Sequence, residues 1–203
     1  MNCQSCLDDT SALIVIDASV VINLIASGFF SEILTALPNR VVIVEEVKFE
    51  IENGRQNGHR DADALARMSA EGRIEVVGLR ESGQDHFLDL VSGSAAETLD
   101  DGEAATIAYA LEQGAVPVLD ERKANKLCEK RFPTLKRAST IDLFFHEEAF
   151  TALGQNLIVD AMFNALYQGR MRVLDHHLDS VKNLIGTDRA AQCNSLPKMA
   201  RIT

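Results

Sequence analysis

The chain has 203 residues, 46% of them hydrophobic, and this length and composition suit one globular domain with an appended segment. A formal net charge of −10 argues against a protein that holds nucleic acid tightly by electrostatic attraction alone, but it allows an enzyme whose carboxylates bind metal ions. No apolar run approaches the ~18 residues of a membrane span, and no basic segment precedes the first apolar run. We therefore expect a cytoplasmic protein without a membrane segment.

Two of the four cysteines form a Cys3-x-x-Cys6 pair near the N-terminus. Such a pair can bind zinc or carry out redox chemistry, but no second pair follows it and no strand precedes it, as a thioredoxin-type site requires. Without a secretion signal, a disulfide framework is not expected. We interpret residues 1–11 as an N-terminal tail.

From residue 12 onward, short apolar runs alternate with helical patterns. Residues 12–16 (ALIVI) and 41–44 (VVIV) are β-branched and do not alternate with polar residues, which is typical of strands buried on both faces of a parallel sheet. The pattern between them predicts a helix with a break at Gly28. A helix over residues 45–51 follows the second strand, and Asn53-Gly54 is predicted to close it.

The alternation continues in the middle of the chain. A helix over residues 59–71 leads to a third strand at residues 74–77. The next stretch, residues 80–98, is polar and rich in Ser and Gly, and its pattern assigns it neither to a helix nor to a strand.

A second alternating unit follows this stretch. A helix is predicted over residues 99–111, with Asp100 or Asp101 as its cap. A fourth strand at residues 116–119 ends in two acids, and a helix over residues 122–131 follows it. Together these patterns predict repeated strand–helix–strand units.

Strands that alternate with helices over residues 12–131 indicate an α/β fold with a parallel sheet. We predict a three-layer α/β/α architecture whose central parallel sheet has four to five strands, the fifth being a short strand near residues 136–138. Residues 140–187 have an entirely helical pattern. The predicted organisation is an α/β domain over residues 12–145, a C-terminal helical extension over residues 146–187 that packs on the domain, and a disordered tail over residues 188–203.

Acidic residues follow the ends of two predicted strands. In open parallel sheets, ligands bind at the carboxyl ends of the strands, so Asp17 after the first strand and Asp120-Glu121 after the fourth are candidates for one site. Carboxylates placed together repel each other, and a cation compensates for that repulsion. Hard oxygen ligands favour Mg²⁺ or Mn²⁺. Glu50 and Glu103, on predicted helices, lie where the same site could use them.

A simpler interpretation exists for each acid taken alone. An Asp directly after a strand commonly caps the following helix, and both Asp17 and Asp120 can have this role. Other enzyme classes fit less well: a phosphatase of the haloacid dehalogenase type needs an Asp where Ser19 stands, and the chain contains no P-loop and no dinucleotide fingerprint.

The order of these motifs resembles that of a PIN domain. The segments IVIDASVVINLIASG, VVIVEEVKFEI and DDGEAATIAYALEQGAVPVLDERKAN follow one another within residues 12–145. They are most similar to the toxin-type branch of the family, which has a GEA-type helix followed by a strand that ends in two acids. The segment DAMFNALYQGRMRVLDHHLDSVKNLIG resembles the C-terminal helical extension of that branch.

The resemblance implies a metal-dependent nuclease whose acids hold Mg²⁺ or Mn²⁺. Glu46 competes with Glu50 for the second acid of the family pattern, and the chain has Asp-Glu where many relatives have two Asp residues. Ser19 matches a small polar residue beside the first acid. The acids carried over as catalytic and metal-binding residues are Asp17, Glu50, Glu103 and either Asp120 or Glu121.

The same resemblance implies an endoribonuclease that hydrolyses RNA phosphodiester bonds. Many relatives are toxins paired with an antitoxin protein, and family members commonly form homodimers, so an antitoxin or other protein partner and a homodimer are implied as well. The alternative is a catalytically weak or inactive PIN-like domain that binds nucleic acid or protein.

Basic residues follow the fourth strand directly. Seven lysines and arginines lie between residues 122 and 137, and only Glu129 opposes them. Arg122, Lys123 and Lys126 are nearest to the predicted site, so we interpret them, together with Ser19, as candidate contacts to substrate phosphates. A solvated amphipathic helix explains the basic residues equally well.

Overall fold

The computed structural model describes residues 7–56, 61–94 and 97–201. Within these ranges, a sheet of four short parallel strands forms the centre of the fold, with the order β3-β2-β1-β4. The strands are β1 (Ile14–Ile16), β2 (Val41–Val44), β3 (Glu75–Val77) and β4 (Val116–Val118). The buried, β-branched runs predicted from the sequence therefore form the central strands.

The parallel register brings the carboxyl ends of β1 and β4 side by side. Ile16 of β1 is paired with Val118 of β4; Asp17 follows β1 directly, and Asp120 follows β4 after Leu119. All residues of β1, β2 and β4 are buried, whereas β3 at the edge is partly exposed. The predicted α/β architecture with a parallel central sheet is confirmed.

Helices cover the sheet and continue beyond it to the C-terminus. The element α9 contains a kink at Gly154, whose φ is 76°. The helices are α1 (Ala18–Ala26), α2 (Phe30–Ala36), α3 (Glu45–Gln56), α4 (Asp61–Ala70), α5 (Glu81–Val91), α6 (Asp101–Gln113), α7 (Arg122–Arg131), α8 (Thr140–Phe144), α9 (Glu147–Tyr167), α10 (Leu178–Ile185), α11 (Thr187–Gln192) and α12 (Lys198–Arg201), with a 3-10 turn at Asp175–His177.

The outer edge of β4 explains both Pro117 and the predicted fifth strand. The backbone N–H of Val116 points to β1, where it donates to Leu13, so the nitrogen of Pro117 faces the other side of β4. A proline is tolerated there because it breaks no bond to β1. On that side, Ala138 forms a single parallel bridge with Val118. The fifth strand predicted near residues 136–138 is thus reduced to one bridge.

The structure assigns a segment that the sequence left unassigned, and it corrects one predicted helix end in the first half of the chain. Residues 80–98 contain α5, which packs on α6 and buries Leu90 among apolar residues of α6 and α7. Because most of the surface of α5 is polar, the sequence lacks the apolar periodicity that would predict this helix. The helix α3 does not close at Asn53-Gly54 but continues to Gln56. The predicted helix over residues 59–71 begins at Asp61 within the described residues.

Two predictions in the C-terminal part are also wrong. Residues 168–174 are not helical; there Gly169 passes so close to α1 and α9 that an added Cβ would lie 2.8 Å from both Ala26 Cβ and Ala165 O. After residue 187, α11 and α12 replace the predicted disordered tail, with Cys193 and Leu196 buried. The boundary near residue 145 stays a prediction, although α9 packs directly on α1 and α2.

The Cys3-x-x-Cys6 pair lies outside the described residues, whereas Leu7 is buried in the main core. No single helix in the described part of the chain is long and apolar enough to span a membrane. The helices α1 and α2 reach the required length and composition only as a pair, which is bent by 113°.

Candidate metal centre

Asp17 lies at the carboxyl end of β1, where its side chain caps α1. The Ser19 hydroxyl donates a hydrogen bond of 2.7 Å to Asp17 Oδ2, and the Ser19 amide donates to the same oxygen at 3.3 Å. The Asp17 side chain is 4% exposed, and this burial raises its pKa to about 6. The charge of Asp100 raises the pKa further, whereas the bonds from Ser19 oppose the shift. Asp17 is thus both a helix cap and a buried acid.

The first turn of α6 brings Glu103 to the same edge. Asp100 caps this helix by accepting a hydrogen bond of 3.0 Å from the Glu103 amide. The Glu103 side chain is 5% exposed, and its Oε1 atom is buried without a hydrogen-bond partner. Burial raises the pKa of Glu103 to about 8, with further contributions from Asp100, Asp17 and Glu121. This carboxyl group is therefore stable as a neutral acid at pH 7.

Glu50 approaches this edge from α3. A Cβ built on Gly102 would lie 2.6 Å from Glu50 Oε2 and 3.5 Å from Asp17 Oδ1, so both oxygens lie within 3.5 Å of one point. Partial burial raises the pKa of Glu50 to about 7, and the charges of Asp17, Asp100 and Asp101 contribute. The close passage of Gly102, which has no side chain, leaves room for both carboxylates.

These acids form a group that we call the acidic cluster: Asp17, Glu50, Asp100, Asp101 and Glu103. The sequence pattern identifies Asp100 or Asp101 as a helix cap only, although their position directly before Gly102-Glu103 is a signal for their inclusion. Among the residues that the structure describes, no three Asp, Glu, His or Cys side chains are arranged to hold a metal ion together. Cation binding at the cluster therefore requires its carboxylate side chains to move closer to one another.

Asp120 has a different environment at the end of β4. Its Oδ2 accepts from Asn23 Nδ2 at 2.7 Å and from the Thr140 hydroxyl at 2.6 Å, and its Oδ1 accepts from the Thr140 amide at 2.8 Å. Burial raises its pKa, and these bonds oppose the shift. Protein donors thus already occupy the Asp120 carboxylate, and its assignment as a metal ligand stays a prediction.

Glu121 lies at the rim of the acidic cluster. It raises the pKa of Glu103 by its charge, and it forms an ion pair with Arg172. Glu46, the competitor of Glu50, has a buried Oε2 atom without a hydrogen-bond partner in the described residues. The choice between Asp120 and Glu121, and that between Glu46 and Glu50, therefore both stay open.

A groove runs along α7, the helix that follows Glu121, and its lining is mostly basic but includes Asp89 and Glu97. Its volume is about 670 Å³, and the predicted substrate contacts Arg122, Lys123 and Lys126 all line it. Lys130 and Arg131 extend the basic wall, whereas Ser19 lies in a separate cavity. The structure thus places three of the four predicted substrate contacts along one groove.

A family model described as the PIN domain matches residues 13–186, which is most of the chain. No characterised protein and no solved structure matches it significantly. The chain therefore belongs to the PIN domain family, whose members are generally nucleases.

Proposed function

We propose that this PIN domain is a metal-dependent endoribonuclease, which hydrolyses RNA phosphodiester bonds with the help of Mg²⁺ or Mn²⁺. The observation that carries the proposal is the acidic cluster at the carboxyl edge of the sheet. Three of its members, Asp17, Glu50 and Glu103, have pKa values raised to about 6, 7 and 8. Perturbed carboxyl groups that converge at such an edge are typical of functional sites.

The chemistry of the cluster fits a divalent cation. Glu103 Oε1 has no protein donor, and the carboxylates raise one another's pKa values, so a cation would relieve both the unmet hydrogen bond and the repulsion. Carboxylate oxygens are the ligands that Mg²⁺ and Mn²⁺ prefer. Asp17, Glu50 and Glu103 would hold the ion, with Asp120 or Glu121 as a fourth ligand. When bound, such an ion supplies an activated water and stabilises charge on the phosphate.

The protein's own residues position the reacting groups. Ser19 fixes the Asp17 carboxylate by two hydrogen bonds to one oxygen, and Asp100 fixes the start of α6 and hence the position of Glu103. Arg122, Lys123 and Lys126 line the groove beside Glu121 and are suited to hold the phosphates of the RNA next to the cluster.

The resemblance to toxin-type PIN domains supports a narrower version of this proposal. In that version, the protein is the toxin of a toxin–antitoxin pair, an antitoxin restrains it, and the chain forms a homodimer. The molecular mass of the purified protein in solution tests the homodimer, and the mass of a complex purified together with a partner protein tests the antitoxin. Both measurements are separate from tests of the chemistry.

Calorimetric titration with Mn²⁺ tests the metal site, and cleavage of single-stranded RNA in Mn²⁺ tests the activity. We expect Asp17→Asn to abolish measurable Mn²⁺ binding, and Asp17→Asn and Glu103→Gln each to reduce cleavage by about 100-fold or more. Glu112→Gln is a matched control, because Glu112 lies on α6 outside the cluster. Circular dichroism checks that each variant is folded.

Wild-type cleavage rates in either cluster variant would refute the assignment of the site. If the folded wild-type protein binds Mn²⁺ but cleaves no RNA, the alternative of a PIN-like interaction domain is favoured. Neither result depends on which acid is the fourth ligand.

A further inference from the structure

The segment between α9 and the 3-10 turn crosses the same end of the sheet as the acidic cluster. We call residues 169–174 the strap. It is anchored at its start, where Gly169 passes close to α1 and the Met171 amide donates to Ala165 O at 3.0 Å. Just beyond its end, Asp175 forms an ion pair with Arg122 at the start of α7. The strap is thus held at both ends against the proposed site.

The strap buries two apolar side chains and leaves two arginines exposed to solvent. Met171 and Val173 are buried, whereas Arg170 and Arg172 are exposed. Arg170 has a φ of 54°, a conformation that is uncommon for residues other than glycine and that clusters at ligand-binding positions. Met171 and Val173 hold the backbone, so the two arginines are presented from a fixed segment.

A cavity of about 230 Å³ separates the strap from the ends of β1 and β4. Arg170 and Arg172 line one side of it, and Ser19, Asp120 and Glu121 line another. This volume is below the ~300–1,000 Å³ of typical small-molecule sites, and it suits a phosphate with its sugar better than a whole cofactor. Ser19 connects the cavity to the acidic cluster, because its hydroxyl is bonded to Asp17.

Electrostatics give the arginines of the strap a role in substrate binding. An RNA phosphate that approaches the acidic cluster is repelled by several carboxylates, and a planar guanidinium group is well suited to bind phosphate oxygens in pairs. Arg172 is already paired with Glu121, a rim acid whose charge acts on Glu103. An exposed ion pair of this kind contributes little stability, so exchange of Glu121 for a phosphate is not costly.

We propose that Arg170 and Arg172 bind a phosphate of the RNA substrate in this cavity, so that the C-terminal extension forms one wall of the substrate site. This proposal rests on the proposed function, because it assumes that RNA reaches the acidic cluster. It adds a second cationic surface, which lines a cavity separate from the groove of α7. Arg170 and Arg172 are binding residues in this assignment, and they take no part in proton transfer.

Binding of a fluorescein-labelled single-stranded RNA oligonucleotide, measured by fluorescence anisotropy in EDTA at several KCl concentrations, tests the proposal. The full-length chain carries Asp17→Asn and Glu103→Gln as a background, because these changes remove repulsive charges and prevent cleavage. In this background we expect Arg172→Gln and Arg170→Gln each to weaken binding severalfold. Each should also make the plot of log K against log salt less steep by about 0.7, the loss of one phosphate contact on a single strand.

Two controls separate phosphate binding from other effects of these changes. Arg40→Gln removes the same charge from an exposed ion pair with Glu75 at the opposite end of the sheet, and it should leave binding unchanged. Glu121→Gln breaks the ion pair of Arg172 but keeps the arginine, so it should preserve or tighten binding. Arg172→Lys, which keeps the charge but not the paired donors, should give an intermediate affinity.

An equal loss in Glu121→Gln and Arg172→Gln would show that the ion pair only holds the strap, and it would overturn the proposal. Unchanged affinity in both arginine variants, or a background that does not bind the RNA at all, would overturn it as well. None of these results depends on hydrolysis. Failure of the proposed nuclease activity appears instead as the absence of Mn²⁺-dependent cleavage by the wild-type protein.

Discussion

The acidic cluster and the nearby pair Asp120 and Asp142 are both groups of carboxylates at the carboxyl edge of the sheet, but their environments differ. Asp142 accepts from the Ser139 amide and hydroxyl, each at 2.8 Å, and lies 3.2 Å from His177 Nε2. Burial alone would raise its pKa, but His177 and Ser139 hold it at about 2. In the cluster, burial and repulsion raise the pKa values instead.

This difference in environment distinguishes buried carboxylates that stabilise the fold from those that are available to a ligand. Hydrogen bonds from Asn23, Ser139 and Thr140 offset the cost of burying Asp120 and Asp142. Glu103 lacks such donors on Oε1, so its burial destabilises the metal-free protein. Sites that bind ligands commonly carry such a cost in stability. Asp142, whose pKa is lowered, and Glu103, whose pKa is raised, should therefore respond to mutation and pH in opposite ways.

The largest expected effect is on stability, at Asp142. Asp142→Ala removes the partner of the buried His177 and of the Ser139 cap, so we expect the free energy of unfolding to fall by about 3 kcal/mol. Urea unfolding at pH 7 measures this change. Because the folded pKa of Asp142 is depressed, its contribution is complete above pH 3.8 and is lost as the pH falls towards 2.

Asp179→Ala is the matched control for this variant, since Asp179 is an exposed acid on α10. It should change the free energy of unfolding by less than about 0.5 kcal/mol. If Asp142→Ala were as stable as this control, the hydrogen-bonded pair would not stabilise the fold as we infer.

The second prediction concerns metal binding by the acidic cluster. Protons must leave the carboxyl groups before a cation binds, so the pKa values of about 6, 7 and 8 make affinity depend on pH. We expect Mn²⁺ affinity to rise by about 10- to 100-fold between pH 6 and pH 8. Calorimetry in buffers of different ionisation heat measures both the affinity and the protons released. An affinity that is flat over this range would contradict the raised pKa values.

The sequence predicts the elements of this comparison better than their environments. The buried strands, the cap at Asp17 and the start of α6 follow from local patterns of apolar residues and capping side chains. The helix α5 does not, because its surface is polar and only Gly83 and Leu90 are buried along it. The helices α11 and α12 are missed because they are short and bury only a few residues.

The difference between Asp120 and Glu103 cannot be predicted from the sequence. Asp120 receives hydrogen bonds from Asn23, which is 97 residues away, and from Thr140, and neither contact follows from a local pattern. The ion pair of Glu121 joins it to Arg172 in the C-terminal extension, 51 residues later. A strand that ends in Asp-Glu predicts two acids at the site, but only the packing of distant helices decides which one is already occupied.

The third prediction is that removal of a cluster charge stabilises the metal-free protein. The folded pKa of Glu103 is about 8 against an ordinary value of 4.5, so the folded state holds an extra proton between these values. Its stability therefore falls as the pH rises through this window. In EDTA at pH 8, Glu103→Gln should raise the free energy of unfolding by about 1–2 kcal/mol, with little effect at pH 4.5.

Glu112→Gln on the same helix is expected to act in the opposite direction. The Glu112 carboxylate accepts from the Gly83 amide and the Ser82 hydroxyl, and these bonds lower its pKa although its slight burial opposes them. Its neutralisation should therefore reduce stability slightly at pH 8. Thermal unfolding of both variants in EDTA at the two pH values makes the comparison, and destabilisation by Glu103→Gln at pH 8 would contradict it.

The smallest expected effect is at Gly102, which passes between two carboxylates of the cluster. The added methyl group of Gly102→Ala would lie 2.6 Å from Glu50 Oε2, so the flexible Glu50 side chain must move away from Asp17. Gly83→Ala is a matched change in α5, since its methyl group would lie 2.9 Å from Glu112 Oε1, outside the cluster. Alanine favours a helix over glycine by about 0.5–1 kcal/mol, which limits the loss of stability in both variants. We therefore expect only Gly102→Ala to weaken Mn²⁺ binding, by a few fold in calorimetry at pH 8, because only its crowded carboxylate would hold the metal. Equal affinities in the two variants would show that Glu50 is not a ligand and would favour Glu46 in its place.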